Sequence, residues 1–109
     1  MIHCVRLLHF WMVLLFFPWS VEAVPKVVVS IKPLHSLVSG VMEGVGEPSL
    51  LLEGNASVHV YSMRPSEVSM LQQAELFFWV GPQLETFLEK PLASLTHSVI
   101  SVEMIDTKG

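Results

Sequence analysis

Three histidines at positions 35, 59 and 97 are the residues of this chain best suited to metal chemistry. The only cysteine, Cys4, precedes a long apolar run. With no thiolate beyond that point, a metal would have to be held by imidazole nitrogen and carboxylate oxygen. His59 is the strongest candidate. It lies in a loop rich in turn residues, after Leu50-Leu51-Leu52 and Glu53-Gly54-Asn55-Ala56-Ser57 and before Pro65. In an open α/β sheet, the loop that leaves the carboxyl end of a strand faces the ligand crevice. There a neutral imidazole can ligate zinc through one nitrogen while a second group orients the other. The alternative is a solvated loop histidine. His35 is a weaker candidate, in the first turn after Lys32-Pro33, where packing beside Tyr61 or Trp79 would serve equally well. His97 falls between a helix and a strand, at the far end of the expected sheet, and reads as a surface residue. Trp79 and Tyr61 could line a pocket, although aromatic residues at strand and loop ends usually belong to core or rim.

The elements that would position these side chains follow from apolar patterning. Short runs rich in β-branched and aromatic residues alternate with segments of helical period, the signature of βαβ units and a parallel sheet. Strands are expected at Val27 to Ile31, Leu50 to Leu52, Leu76 to Val80 and Ser98 to Met104. The first is apolar without alternation, as a strand covered on both faces should be. Leu34, Leu37, Val38, Val41 and Met42 form one stripe of a helix, which Gly44 and Gly46 end. Pro65 suits a first helical turn with Glu67 near its positive end, and Val68 and Leu71 point inward. Leu84, Phe87, Leu88, Leu92 and Leu95 continue at helical spacing, with a bend expected at Pro91. Glu85 and Glu89, an i, i+4 pair of like charge, are expected to face water. The fold class is therefore α/β, a parallel sheet with flanking helices. A sheet that stops soon after its fourth strand should have an open edge and a part-covered face.

Residues 1–23 have a separate character. Arg6 is followed by an apolar run from Leu7 to Phe17 and by Val21-Glu22-Ala23, the layout of a secretory signal peptide with cleavage expected after Ala23. The run is too short for a membrane span, which needs roughly 20 residues. Residues 24–109 then form at most one small domain, with no span expected after cleavage. The chain carries a formal charge of −4, and Arg6 and Glu22 of the leader cancel. No basic patch suits nucleic acid. Motifs for a nucleophile elbow, a phosphate loop, H-E-x-x-H or C-x-x-C are absent, so an enzyme is not expected. Asn55-Ala56-Ser57 fits a glycosylation acceptor, relevant only to a eukaryotic secretory route.

Three segments together carry a resemblance: Ser30-Ile31-Lys32-Pro33-Leu34-His35, His59-Val60-Tyr61-Ser62-Met63-Arg64-Pro65-Ser66-Glu67, and Ala74-Glu75-Leu76-Phe77-Phe78-Trp79-Val80-Gly81-Pro82-Gln83-Leu84-Glu85. They resemble the zinc-binding solute receptors of ABC uptake systems, from about Val27 to Leu95. The most specific part is histidine-x-aromatic followed by Arg-Pro-Ser-acid; the Trp-Val-Gly-Pro turn points to the zinc subgroup over the manganese one. The resemblance implies a two-lobed periplasmic receptor that delivers zinc to a membrane permease, with metal held between α/β lobes joined by a long helix. It implies that His59 is the first metal ligand and that further ligands come from later in a longer chain. A histidine-rich loop common in the family is missing, and Val58 and Val60 stand where the zinc subgroup commonly has acids. The chain is thus expected to be a partial amino-terminal lobe, with a manganese or iron receptor, or a small α/β enzyme, as the rival readings.

Overall fold

A computed structural model describes residues 23–54, 57–58, 60–95 and 98–108. The expected leader up to residue 22, the acceptor asparagine Asn55, His59 and His97 all lie outside the described residues. The elements run in the order β1 (Val27–Val29), α1 (Lys32–Val41), β2 (Ser49–Leu50), α2 (Pro65–Gln73), β3 (Leu76–Trp79), a 3₁₀ turn (Thr86–Leu88), α3 (Glu89–Ser94) and β4 (Ile100–Glu103). The four strands form one sheet in the order β2-β1-β3-β4, and every pairing is parallel. The α/β class expected from the alternating pattern is the one observed.

Each strand is shorter than its apolar run, because the run continues past the paired core. Leu51 N–H and Leu52 N–H still bond to Val29 and Ser30 carbonyls at 2.8 and 3.0 Å, so backbone satisfaction extends beyond β2. Met104 and Ile105 N–H likewise bond to Trp79 and Val80 carbonyls.

Alternation across the pleat divides the strands between two cores. Val28, Phe77 and Trp79 pack with Leu71 of α2 and Leu88 of the 3₁₀ turn. Val27 and Val29 face the other way and pack with Leu34 and Met42, with Leu76, Phe78 and Val80 alongside. This explains why β1 is apolar at every position: all three of its residues are buried. Among the described residues α1 is the only helix on its face. It leaves a groove of about 410 Å³ lined by Val27, Phe78, Leu37, Val41, Val45 and Met104 among others, and Val41 is 85% exposed. The part-covered face expected from the element count is therefore present in the described structure.

Local chemistry sets the helix ends. Pro33 and Pro65 occupy first-turn positions of α1 and α2, where a missing N–H costs nothing. Beyond α1, Gly44 takes φ 81°, a left-handed conformation suited to glycine, and the chain turns toward β2. The helix predicted to bend at Pro91 breaks earlier: a 3₁₀ turn ends at Leu88, and Pro91 sits in the first turn of α3. No intrahelical bond is lost to the proline there, so it starts a helix instead of kinking one.

Candidate metal site

The strand order places β2 and β3 on opposite sides of β1, so the chain reverses direction across the sheet between β1 and β3. Open α/β sheets bind ligands outside the carboxyl ends of strands at such a switch point. Ser30 and Ile31 leave β1 there, and Val80 and Gly81 leave β3. The two ends are tied by Ser30 N–H donating to the Phe78 carbonyl at 3.0 Å. The loop from β2 to α2, which carries His59, opens from the same end of the sheet.

The turn after β3 is built on Glu85. Its carboxyl accepts Val80 N–H at 2.7 Å and Gly81 N–H at 3.3 Å, and the residue is fully buried. This corrects the expectation that Glu85 and Glu89 face water together. Glu89 is exposed, while Glu85 is drawn inward because two peptide N–H groups at a strand end need an acceptor. Gly81 is obligatory in that turn: its φ is 149°, and a Cβ would lie 2.9 Å from both Gln83 Oε1 and Glu103 Oε1. Two buried polar atoms in this region, Ser30 Oγ and Glu85 Oε1, have no hydrogen-bond partner among the described residues.

A second carboxyl organises the approach to α2. Glu67 accepts Arg64 N–H at 2.8 Å, closing the first helical turn, and it also accepts the Tyr61 hydroxyl. Glu67 is buried. The Tyr61 ring meets the Phe87 ring edge to face, with centroids 5.2 Å apart at 66°. Tyr61 therefore belongs to the rim of the core. Trp79 is buried within the core, and its indole N–H donates to Ser101 Oγ at 3.0 Å.

The phenol of Tyr61 titrates above its ordinary 10.0, first because Glu67 accepts its proton, then because of burial and the nearby negative charge, with Arg64 opposing. A raised folded pKa means that this contribution to stability is complete below the unfolded value and is lost as pH rises through the folded value. The chain has one tyrosine, so its ultraviolet phenolate absorbance reports this group alone. Its midpoint is expected above 10.0 in the folded chain, and Glu67→Gln should lower it. A wild-type midpoint at or below the free-tyrosine value would contradict this geometry.

His35, half-buried in the first turn of α1, points its Nε2 to the Pro48 carbonyl at 2.9 Å. Since a carbonyl only accepts, Nε2 carries the proton and Nδ1 is the nitrogen left for a metal. The contact turns the ring toward the residue that precedes β2 and braces α1 against it. Among the described residues no three His, Cys, Asp or Glu side chains are grouped to hold a metal. Sequence reasoning missed Glu67 as a tether and Glu85 as a turn cap. The available signals were Arg64-Pro-Ser-Glu67, with an acid three residues after a helix cap, and Gly81-Pro-Gln-Leu-Glu85, with an acid four residues beyond a strand-ending glycine.

An open parallel sheet with its loops gathered at a switch point is the architecture of an α/β ligand-binding lobe. Within that class the chain belongs to the family of zinc-uptake complex component A periplasmic proteins, whose model matches residues 27–108. It is 52% identical over 83 residues to the high-affinity zinc uptake system protein ZnuA of Brucella abortus strain 2308, covering 76% of this chain and 25% of that protein. The fold is similar to the periplasmic zinc binding protein TroA from Treponema pallidum, with a TM-score of 0.68 and 25% identity, over 73% of this chain and 29% of that one. It is also similar in fold to the Mn-bound periplasmic metal binding protein from Candidatus Liberibacter asiaticus, with a TM-score of 0.65 and 20% identity, over 77% and 32% of the two chains. The chain spans about a quarter of the length of the curated relatives it matches. The family is one of solute-binding receptors and not of enzymes. No helix among the described residues is long and apolar enough to cross a membrane.

Proposed function

We propose that this chain is the amino-terminal part of a receptor that captures zinc in the periplasm and passes it to the membrane permease of an ABC importer. The observation carrying this reading is the 52% identity over 83 residues to a protein named for high-affinity zinc uptake. The geometry adds a β2–α2 loop that opens at the switch point of the sheet and carries His59 in sequence. In this reading residues 1–23 are an export leader and residues 24–109 part of the metal-binding domain. His59 is the first zinc ligand; His35, with Nε2 engaged at Pro48, is a secondary candidate through Nδ1. Manganese is the second reading, favoured by the Mn-bound fold neighbour; at 20% identity that likeness bears on fold alone, so zinc is preferred.

A zinc site needs three or four protein ligands, and the remaining ones are assigned to chain beyond the matched quarter. The test is calorimetric zinc titration near neutral pH of two proteins: this chain, and the Brucella relative with residues 27–108 of this chain grafted into the matching stretch. Weak, unselective binding is expected for the chain and tight one-to-one binding for the graft, with zinc outcompeting manganese. Tight one-to-one binding by the chain alone would refute a shared site, and a graft without tight zinc binding would refute the zinc assignment.

A further inference from the structure

The carboxyl group of Glu67 is engaged by two different parts of the chain. One oxygen accepts Arg64 N–H at the start of α2. The other accepts the hydroxyl of Tyr61, which belongs to the loop after β2. Glu67 is 7% exposed, so on its side both bonds are partly shielded from competing water. Tyr61 is also held from the other side by the Phe87 ring, and Met63 packs against the same core.

Among its described residues the rest of the loop is lightly tied. Leu52 is buried where the chain leaves the sheet, and beyond it Glu53, Gly54, Ser57 and Val60 are exposed. Within that exposed stretch, the described backbone bond is the turn from Val60 N–H to the Ser57 carbonyl at 3.3 Å. The loop is thus fixed at Leu52 and again at Tyr61. The second point lies two residues from His59, and a ligand near an anchor loses less freedom when it binds metal.

From this we infer that Tyr61 and Glu67 form a latch that holds the end of the β2–α2 loop against α2, making both positioning residues for the metal ligand that the proposed function assigns to this loop. The inference deepens the zinc-receptor reading and rests on it for its functional consequence; the latch itself stands on the described geometry. The two carboxyl bonds divide its work. Removing the phenol hydroxyl releases the loop and leaves the helix cap, whereas truncating Glu67 releases both.

Tyr61→Phe is the decisive variant because it keeps the ring against Phe87 and deletes only the bond to Glu67. In this chain, amide hydrogen exchange should rise about 5-fold at Val60, whose N–H makes the described backbone bond of the loop, the loss expected of one net hydrogen bond, while α2 amides remain unchanged. Glu67→Ala should raise exchange both in the loop and in the first turn of α2. In the grafted receptor, Tyr61→Phe should weaken zinc about 10-fold without lowering the melting temperature of the metal-free protein appreciably. Unchanged loop exchange in Tyr61→Phe would overturn the latch whatever the metal does. A loosened loop with unchanged zinc affinity would overturn the positioning role. His59→Ala in the same graft separates the two ideas: if it leaves zinc binding intact, the receptor reading fails while the exchange result still judges the latch.

Discussion

Glu85→Ala should destabilise the folded chain by roughly 3 kcal/mol, since each buried N–H left without its acceptor costs about 1–3 kcal/mol. Val80 and Gly81 N–H both lose their partner in this variant. Deleting a fully buried side chain also leaves a hole beneath the turn. For a domain of this size the expected fall in melting temperature is on the order of 15 °C, read by circular dichroism. Glu85→Gln is the control, because its amide oxygen can still accept; a smaller loss of about 1 kcal/mol is expected. A melting temperature unchanged in Glu85→Ala would mean that water can replace the carboxyl at no cost and that the cap is incidental. The turn lies beside the switch point, where Ser30 N–H bonds to the Phe78 carbonyl and joins β1 to β3. Loss of the cap should loosen the strand ends at the switch point as well as the core beneath the turn.

The second large effect concerns metal. With His59 as the proposed first ligand, His59→Ala in the grafted receptor should lower zinc affinity by more than ~100-fold, or about 2.8 kcal/mol, because loss of one ligand from a site of three or four exceeds the usual effect of disturbing its support. His35→Ala should have a much smaller effect on zinc. Its Nε2 bond to the Pro48 carbonyl identifies it as a brace between α1 and the start of β2, so its cost should appear mainly in stability. Ligation requires neutral imidazole, so zinc binding should weaken as pH falls through about 6.5, the range in which an ordinary histidine takes up a proton. A calorimetric series across that range checks the sign: affinity that rises on acidification would exclude histidine as the principal ligand. Equal affinities of the His59→Ala graft and its parent would remove this residue from the site.

Much of the architecture is legible in the sequence. Val27-Val28-Val29 contains no polar residue, and a strand with no polar face must be covered on both sides; this is what the two cores accomplish. The apolar stripe from Leu34 to Met42 and Pro65 with Glu67 likewise announced α1 and α2, because periodicity over many residues reports which face meets a core. Membership of the zinc-uptake family was readable because residue types at fixed spacing are visible in sequence whatever the fold does with them.

Other features depended on contacts that no period encodes. Glu85 looked like half of a solvated charge pair, yet it is buried because the backbone of a turn delivers two donors to it. Tyr61 and Glu67 meet only once the loop folds back on α2, and His35 finds Pro48 only once β2 lies beside α1. The strand order and the resulting switch point were also beyond the sequence, since the same four apolar runs could pair in several orders. The amino-acid pattern thus determined which segments become strands and helices, because apolar periodicity is summed over many residues; it did not settle how far each apolar face is covered, since Leu37 and Val41 of the α1 stripe remain exposed. Tertiary structure alone decided which individual polar groups are buried and with whom, because a single hydrogen bond depends on the placement of one donor and one acceptor brought together from separate parts of the chain.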